Sequence, residues 1–324
     1  MRATDERGRT RVGRTGQMAD GQRQPGRTRD QSPGSVITSR DNKWLKMFRA
    51  ALRGTGPARD EPIGVEGTRL VREALRSGLE AEALLVSESG EHDLAKILEA
   101  ASQTEAGIPR ERILRTTDRL FSGVAGTETP QGVAALFREP VWGLEDVLRG
   151  AVGSTRNAAF VVVLAGTQDP GNVGTILRSA EAFGATGAVA TRGTADPWSP
   201  KALRASAGSA LRLPLLRGMA IPVLLAQLKI ERVRVIAASA GASTDNPERP
   251  SGLTTFDTPA SEEALRGAVA IFIGNEGAGL PSEVEIAADQ RVSIPMSRAV
   301  ESLNAGVAAS VLLYEVARQR ARES

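Results

Sequence analysis

Three short stretches of the chain carry residues whose types and spacing could do chemistry. The first is Gly166-Thr-Gln-Asp-Pro-Gly-Asn-Val-Gly174, which runs into an apolar-periodic segment ending near Phe183. Asn172 is placed to cap that segment as a helix. Gly171 and Gly174 let the backbone turn tightly and approach a ligand, and Arg178 falls within the first two helical turns. An ordinary capped turn with a surface arginine would read the same way. The G-x-G-x-x-G spacing of a dinucleotide site and the G-K-[ST] of a phosphate loop are both absent. The second stretch is Ile271-Phe-Ile-Gly-Asn-Glu-Gly-Ala-Gly-Leu-Pro281. Its Gly-rich turn around Asn275 and Glu276 suits close backbone contact with a flat ligand such as adenine. It suits equally a turn that only starts the next helix, with Pro281 in its first turn. The third stretch spans 292–310, with Ile294, Met296, Ser302 and Asn304 as its candidates. Ser302 reads as the N-cap of a final helix on which Leu303, Val307, Val311 and Tyr314 share one face, a core or subunit face.

Composition narrows the chemistry. The 324 residues include no cysteine and one histidine, His92. Disulfides, thiolate nucleophiles and cysteine-ligated zinc are excluded, and a His-based triad or multi-histidine metal site lacks its members. No metal is expected. His92 lies in a polar run at 88–93 and reads as a solvated surface residue. No apolar run approaches the roughly 18 residues of a membrane span, and the start of the chain lacks the apolar stretch of a secretory signal. A cytoplasmic protein with no membrane partner is the expectation.

The elements that would position the three loops alternate regularly. The apolar run 158–165 reads as a strand buried on both faces. Further strands fall near 186–190, 211–215, 232–238, 267–273 and 291–294. Helices fall near 173–183, 200–208, 221–229, 281–288 and 303–321. This pattern predicts an α/β fold with a mainly parallel, doubly wound sheet. Each loop follows a strand, at the sheet edge where such folds bind ligands. Ahead of it, 41–137 alternates helix (42–53), strand (62–66), helix (67–77), strand (82–86), helix (93–102), a short extended piece (112–115), a short helix (118–121) and strand (132–137). The division expected is a tail at 1–36, a smaller α/β domain at 37–140, a linker at 141–157 and the larger domain at 158–324. The tail holds eight arginines against four acids, so the net charge of +3 leaves the remainder at −1. It is too polar to offset its ordering entropy and reads as disordered, either an RNA tether or a solvated tail.

In this order and spacing the loops resemble the three motifs of the SpoU (TrmH) branch of the SPOUT RNA methyltransferases. Asn172, Gly174 and Arg178 match N-x-G-x-x-x-R. Residues 274–280 match G-N-E-G-x-G-L. Ile294, Pro295, Met296, Ser302, Leu303 and Asn304 match I-P-M…S-L-N. The segment 196–206 also resembles the family, with Trp198 where Phe is expected. Residues 65–75 and 126–132 resemble its N-terminal substrate-binding domain. The likeness covers about 37–322 and omits the tail.

The resemblance implies a C-terminal trefoil knot and a homodimer that completes the active site. It implies S-adenosylmethionine held by the backbone at Gly274, Ile294 and Leu303, with Met296 and Glu276 nearby. The implied reaction is methyl transfer to a ribose 2′-hydroxyl of RNA, 23S rRNA with guanosine as first choice. A tRNA target or a non-catalytic RNA-binding member are the alternatives. Arg178 is expected to stabilise the developing alkoxide, since a guanidinium stays protonated. Asn172 would orient the ribose or the arginine, and Ser302 and Asn304 would shape the site. Lys201, Arg204 and Arg212 are candidate RNA contacts.

Overall fold

Two β-sheets from successive parts of the chain lie side by side, each flanked by helices. The computed structural model describes residues 36–54, 56, 58, 61–104, 107–150, 158–239, 253–255, 265, 267–294, 296 and 302–321. Except for Val36, the tail expected at 1–36 lies outside them.

The first sheet contains β1 (Val36–Ile37), β2 (Ile63–Glu66), β3 (Ala81–Ser87), β4 (Ile113–Thr116) and β5 (Val133–Phe137), in the order β1-β4-β3-β5-β2. It is mixed: β1, β4 and β3 are parallel, while β5 runs antiparallel to both β3 and β2. Helix α1 (Lys43–Arg53) begins where the Asn42 side chain accepts from Trp44 N at 2.8 Å, and it buries Trp44, Leu45, Phe48 and Leu52. Helices α2 (Thr68–Arg76), α3 (Leu94–Ser102) and α4 (Asp118–Ser122) complete this part. The polar run Glu88–Asp93, expected as loop, winds as a 3-10 helix.

After α5 (Leu144–Arg149), the second sheet contains β6 (Phe160–Leu164), β7 (Gly187–Thr191), β8 (Leu215–Met219), β9 (Arg234–Ala238), β10 (Leu253–Thr255), β11 (Val269–Ile273) and β12 (Gln290–Ser293). Their order is β10-β12-β9-β11-β6-β7-β8, and every pairing is parallel. All residues of β6, β7 and β11 are buried, as expected of strands covered on both faces. The helices are α6 (Pro170–Ala182), α7 (Pro200–Ser206), α8 (Ser209–Arg212), α9 (Ile221–Ile230), α10 (Ser282–Ala287) and α11 (Ala305–Ala321). Among the described residues no helix is long and apolar enough to cross a membrane.

Several local expectations are corrected. The strand predicted at 211–215 is instead the helical turn α8 followed by β8. Pro214 has no N–H to give a ladder, so the strand starts after it. Helix α6 starts at Pro170, with the Asp169 side chain accepting from Gly171 N at 3.2 Å. Proline fits the first helical position and an aspartate before it fits the cap. Asn172 is therefore inside the helix, and Arg178 lies in its third turn. Gly174 serves helix packing: a Cβ there would sit 2.3 Å from the Ala202 carbonyl oxygen of α7. Asn304, not Ser302, caps the last helix, its Oδ1 accepting from Gly306 N at 2.9 Å and Val307 N at 3.3 Å. Pro281 stands at the N-cap of α10.

The two sheets share one buried apolar cluster. It runs from Ile63, Val65 and Leu75 on the first to Phe160, Ile176 and Leu211 on the second. Polar contacts reinforce it. Arg212 donates to Glu181 of α6 at 2.6 and 2.8 Å and to Glu73 of α2 at 3.0 Å.

Candidate active site

The strands β12, β9, β11 and β6 are neighbours, and the chain leaves each of them at the same edge of the sheet. Between β8 and β9 it crosses from one side of β6 to the other, so this edge is a topological switch point, where open parallel sheets bind ligands. A cavity of about 480 Å³ opens there. Ile273, Ile294, Leu303, Ala308 and Leu312 give it an apolar lining; Asn275, Glu276, Ser302 and Asn304 give it a polar one. Gly274 and Met296 line it too.

The loop after β11 folds back on itself. Asn275 and Gly279 exchange backbone hydrogen bonds of 2.9 and 3.0 Å. Gly279 has φ +72°, and a Cβ on Gly274 would lie 2.5 Å from the Gly279 carbonyl carbon. Glycine is required at both positions. The Asn275 side chain fixes the turn from both ends, accepting from Gly277 N and Ala278 N at 2.9 Å and donating to the Gly166 carbonyl, also at 2.9 Å.

A second set of bonds joins all three loops. Asn304 Nδ2 donates to Asn172 Oδ1 at 2.9 Å, and Asn172 Nδ2 donates to Glu276 Oε1 at 2.9 Å. Glu276 also accepts from the backbone N–H groups of Gln168 (3.2 Å) and Asp169 (3.4 Å). Partial burial pushes the Glu276 carboxyl up. The Asn172 amide and the backbone donors outweigh it and hold the group below the ordinary glutamate value. The group is acceptor-only at neutral pH. The Lys201 ammonium and the Gly171 N–H likewise depress Asp169.

The structure thus brings Asn172, Glu276 and Asn304 into direct contact and gathers Gly274, Ile294, Met296, Ser302 and Leu303 around one cavity. Arg178 does not line it. Arg178 is exposed on α6 and makes no hydrogen bond or ion pair among the described residues. The residues beside it pack on α11: Ser179 Oγ and Ser310 Oγ are 2.7 Å apart, and the Phe183 and Tyr314 rings meet edge-on at 5.7 Å. Of the proposed RNA contacts, Lys201 pairs with Asp169, and Arg204 is exposed with no partner among the described residues. Arg212 is committed to Glu73 and Glu181 and is not free to meet RNA. Sequence reasoning missed Asp169 and Gln168, for which Asp-Pro was a usable signal. It also missed Ala238, the last residue of β9, and Ser239 after it, which line the cavity with no motif to mark them.

This cavity falls within the size range of small-molecule sites, with polar groups on a largely apolar wall. It defines a ligand-using α/β enzyme. Residues 159–314 match the SpoU rRNA Methylase family and residues 59–135 match the MRM3-like substrate binding domain. The chain is 33% identical to the 23S rRNA (guanosine(2553)-2′-O)-methyltransferase RlmP of Bacillus subtilis (strain 168), over 86% of this chain and 98% of that protein. The solved structure of the SpoU methyltransferase AviRb from Streptomyces viridochromogenes with the cofactor AdoMet superposes with a TM-score of 0.68. That pair shares 25% identity over 87% of this chain and 100% of AviRb. A solved RNA 2′-O ribose methyltransferase gives 0.63, with 29% identity over 89% of this chain and 100% of its own. The chain belongs to the SpoU rRNA methylase family. It is an RNA methyltransferase that uses S-adenosylmethionine.

Proposed function

We propose that the protein methylates a ribose 2′-hydroxyl in 23S rRNA, with a guanosine as target. The bond linking Asn172, Glu276 and Asn304 carries this reading, because it ties the three motif loops around one cofactor-sized cavity. The named activity of the Bacillus subtilis relative supports the target. Bound S-adenosylmethionine supplies an electrophilic methyl group on its sulfonium. In this reading Gly274, Ile294 and Leu303 face the adenosine part, with Met296 and Glu276 beside them. Asn172, Ser302 and Asn304 keep the loops in register. Arg178 stabilises negative charge on the 2′-oxygen as its proton leaves.

The same reading includes a homodimer. Val307, Val311 and Tyr314 form an exposed apolar row on α11, 49%, 41% and 53% exposed. Arg178 stands on the neighbouring helix without an anion among the described residues, and in this reading a second copy on this face brings the guanidinium toward the partner's cavity. The trefoil knot, the division into a substrate-binding and a catalytic domain near 140–157, and a cytoplasmic location belong to this proposal as well. The residues at 297–301 that would complete the knot's last loop lie outside the described ones. Mapping 2′-O-methylation in ribosomal RNA and tRNA from cells with and without the protein tests it. One 23S position that loses its methyl group is the expected result. Loss confined to tRNA would replace the target, and no loss anywhere would overturn it.

A further inference from the structure

Helix α2 carries Arg69, Arg72 and Arg76 at i, i+3 and i+7, a spacing that sets all three on one face. The one carboxylate on this helix, Glu73, is held by Arg212 at 3.0 Å and lies 3.6 Å from Arg76. Arg69 is exposed and has no acceptor among the described residues. Arg72 is half-buried. Its Nε–H is shielded from solvent and meets no acceptor among the described residues. Most other described arginines are engaged, as with Arg53, Arg115, Arg217 and Arg320. Three cations on one helix face with one carboxylate between them repel one another.

Helix α2 touches the helices of the second sheet: a Cβ on Gly208, the residue before α8, would lie 3.3 Å from Leu70 Cδ1 and 3.5 Å from Glu73 Cβ. Helix α7, just ahead of Gly208, contains no acid and exposes Arg204 and Lys201. Lys201 is paired with Asp169, whose N–H is bound by Glu276 at the cavity, while Arg204 has no partner among the described residues. Cations without counter-charge therefore stand both on the first sheet's helix and on a helix that adjoins the candidate active site.

We propose that Arg69 and Arg72 of α2, together with Arg204 of α7, form the track that holds the phosphate backbone of the RNA substrate. This rests on the reading of the chain as an rRNA methyltransferase. Phosphate contacts fix register and supply salt-dependent affinity. The track would set how the strand enters, while the cavity performs the transfer.

The test is binding of the full chain to an unmethylated large-subunit rRNA transcript across a salt series. Arg69→Gln, Arg72→Gln and Arg204→Gln are made singly and together, with Lys46→Gln as a control on the far side of the first sheet. Each lost contact is expected to reduce the log–log salt slope by about 0.7–0.9, so the triple variant loses about 2–3. The control and the charge-keeping triple Arg→Lys variant retain the wild-type slope. S-adenosylmethionine affinity, measured by calorimetry, stays unchanged in all of them and certifies folding. A triple variant that binds the transcript with the wild-type slope overturns the track. A wild-type chain that binds through these residues but transfers no methyl group to the transcript leaves the track standing and removes the proposed target instead.

Discussion

The side-chain amide of Asn304 can only donate toward Asn172, because its oxygen is already committed to the first N–H groups of the last helix. That choice fixes the next one. The Asn172 oxygen must face Asn304, so its nitrogen must face Glu276, whose two oxygens accept from it and from two backbone N–H groups, an arrangement that favours the ionised carboxylate. Donor polarity is thus passed from a helix terminus through two amides to a carboxylate.

Asn172→Asp breaks this polarity without changing shape. Two carboxylates would then stand at hydrogen-bond distance, and one would have a raised pKa and take up a proton as pH falls. Cofactor affinity at pH 7.5 is expected to fall about 10- to 100-fold, matching the about 1.5–3 kcal/mol of a charge-assisted bond. It should recover partly near pH 5.5. Calorimetry at both pH values is the measurement, and a loss independent of pH would sink the idea.

Glu276 makes a pH signature of its own. Its folded pKa lies below the ordinary value of about 4.3. Its stabilising contribution is therefore complete above that value and is lost as pH falls through the folded pKa. Glu276→Gln should be less stable than wild type at pH 7, with the gap in melting temperature closing toward pH 3. A constant gap would show that the carboxylate does not link the loops.

Arg178 is exposed and bonds to nothing among the described residues, so its removal leaves packing alone. Arg178→Ala is expected to keep the wild-type melting temperature and cofactor affinity while kcat drops about 10²- to 10³-fold, the usual loss of one transition-state donor. Near-normal turnover would take Arg178 out of the reaction.

Val311→Glu places a charge in the exposed row of α11. If that row is the dimer face, sedimentation should show a shift from dimer to monomer, with methyl transfer lost in parallel. A variant that stays dimeric would move the interface elsewhere.

Arg320 is a cation with no carboxylate partner among the described residues. It donates to the carbonyls of Ala158, Ala159, Leu265 and Gly267 and stacks over Phe160 at 4.9 Å. Burial lowers its pKa to about 10. It ties the end of α11 to the starts of β6 and β11. Arg320→Ala should cost about 3 kcal/mol in denaturant unfolding, as several carbonyls lose a charged donor. A change below about 0.5 kcal/mol would show the carbonyls are satisfied otherwise.

Strand existence was legible in the second sheet because apolar runs such as 158–165 have few other uses. The ends of elements were less so, since capping depends on which of two nearby polar residues wins. Asp169 displaces Asn172 because Pro170 fixes the first turn, and this frees Asn172 for the inter-loop bonds. Asn304 displaces Ser302 because it directly precedes the first helical residue, Ala305, and its side chain reaches Gly306 N. Periodicity could not show that Gly174 lets α6 and α7 pack closely, nor that Arg212 lies between two glutamates, because both depend on partners distant in sequence. The motif residues were readable through their spacing; Ala238 and Ser239, which have no distinctive chemistry, were not.

The apolar core running unbroken beneath both sheets has a further consequence. For α2 to shift relative to the methyl donor, apolar contacts of that shared core must open, at a cost that grows with the area exposed. Adjustment on docking is then cheaper in the nucleic acid, which favours a target in an RNA segment that can bend or unstack.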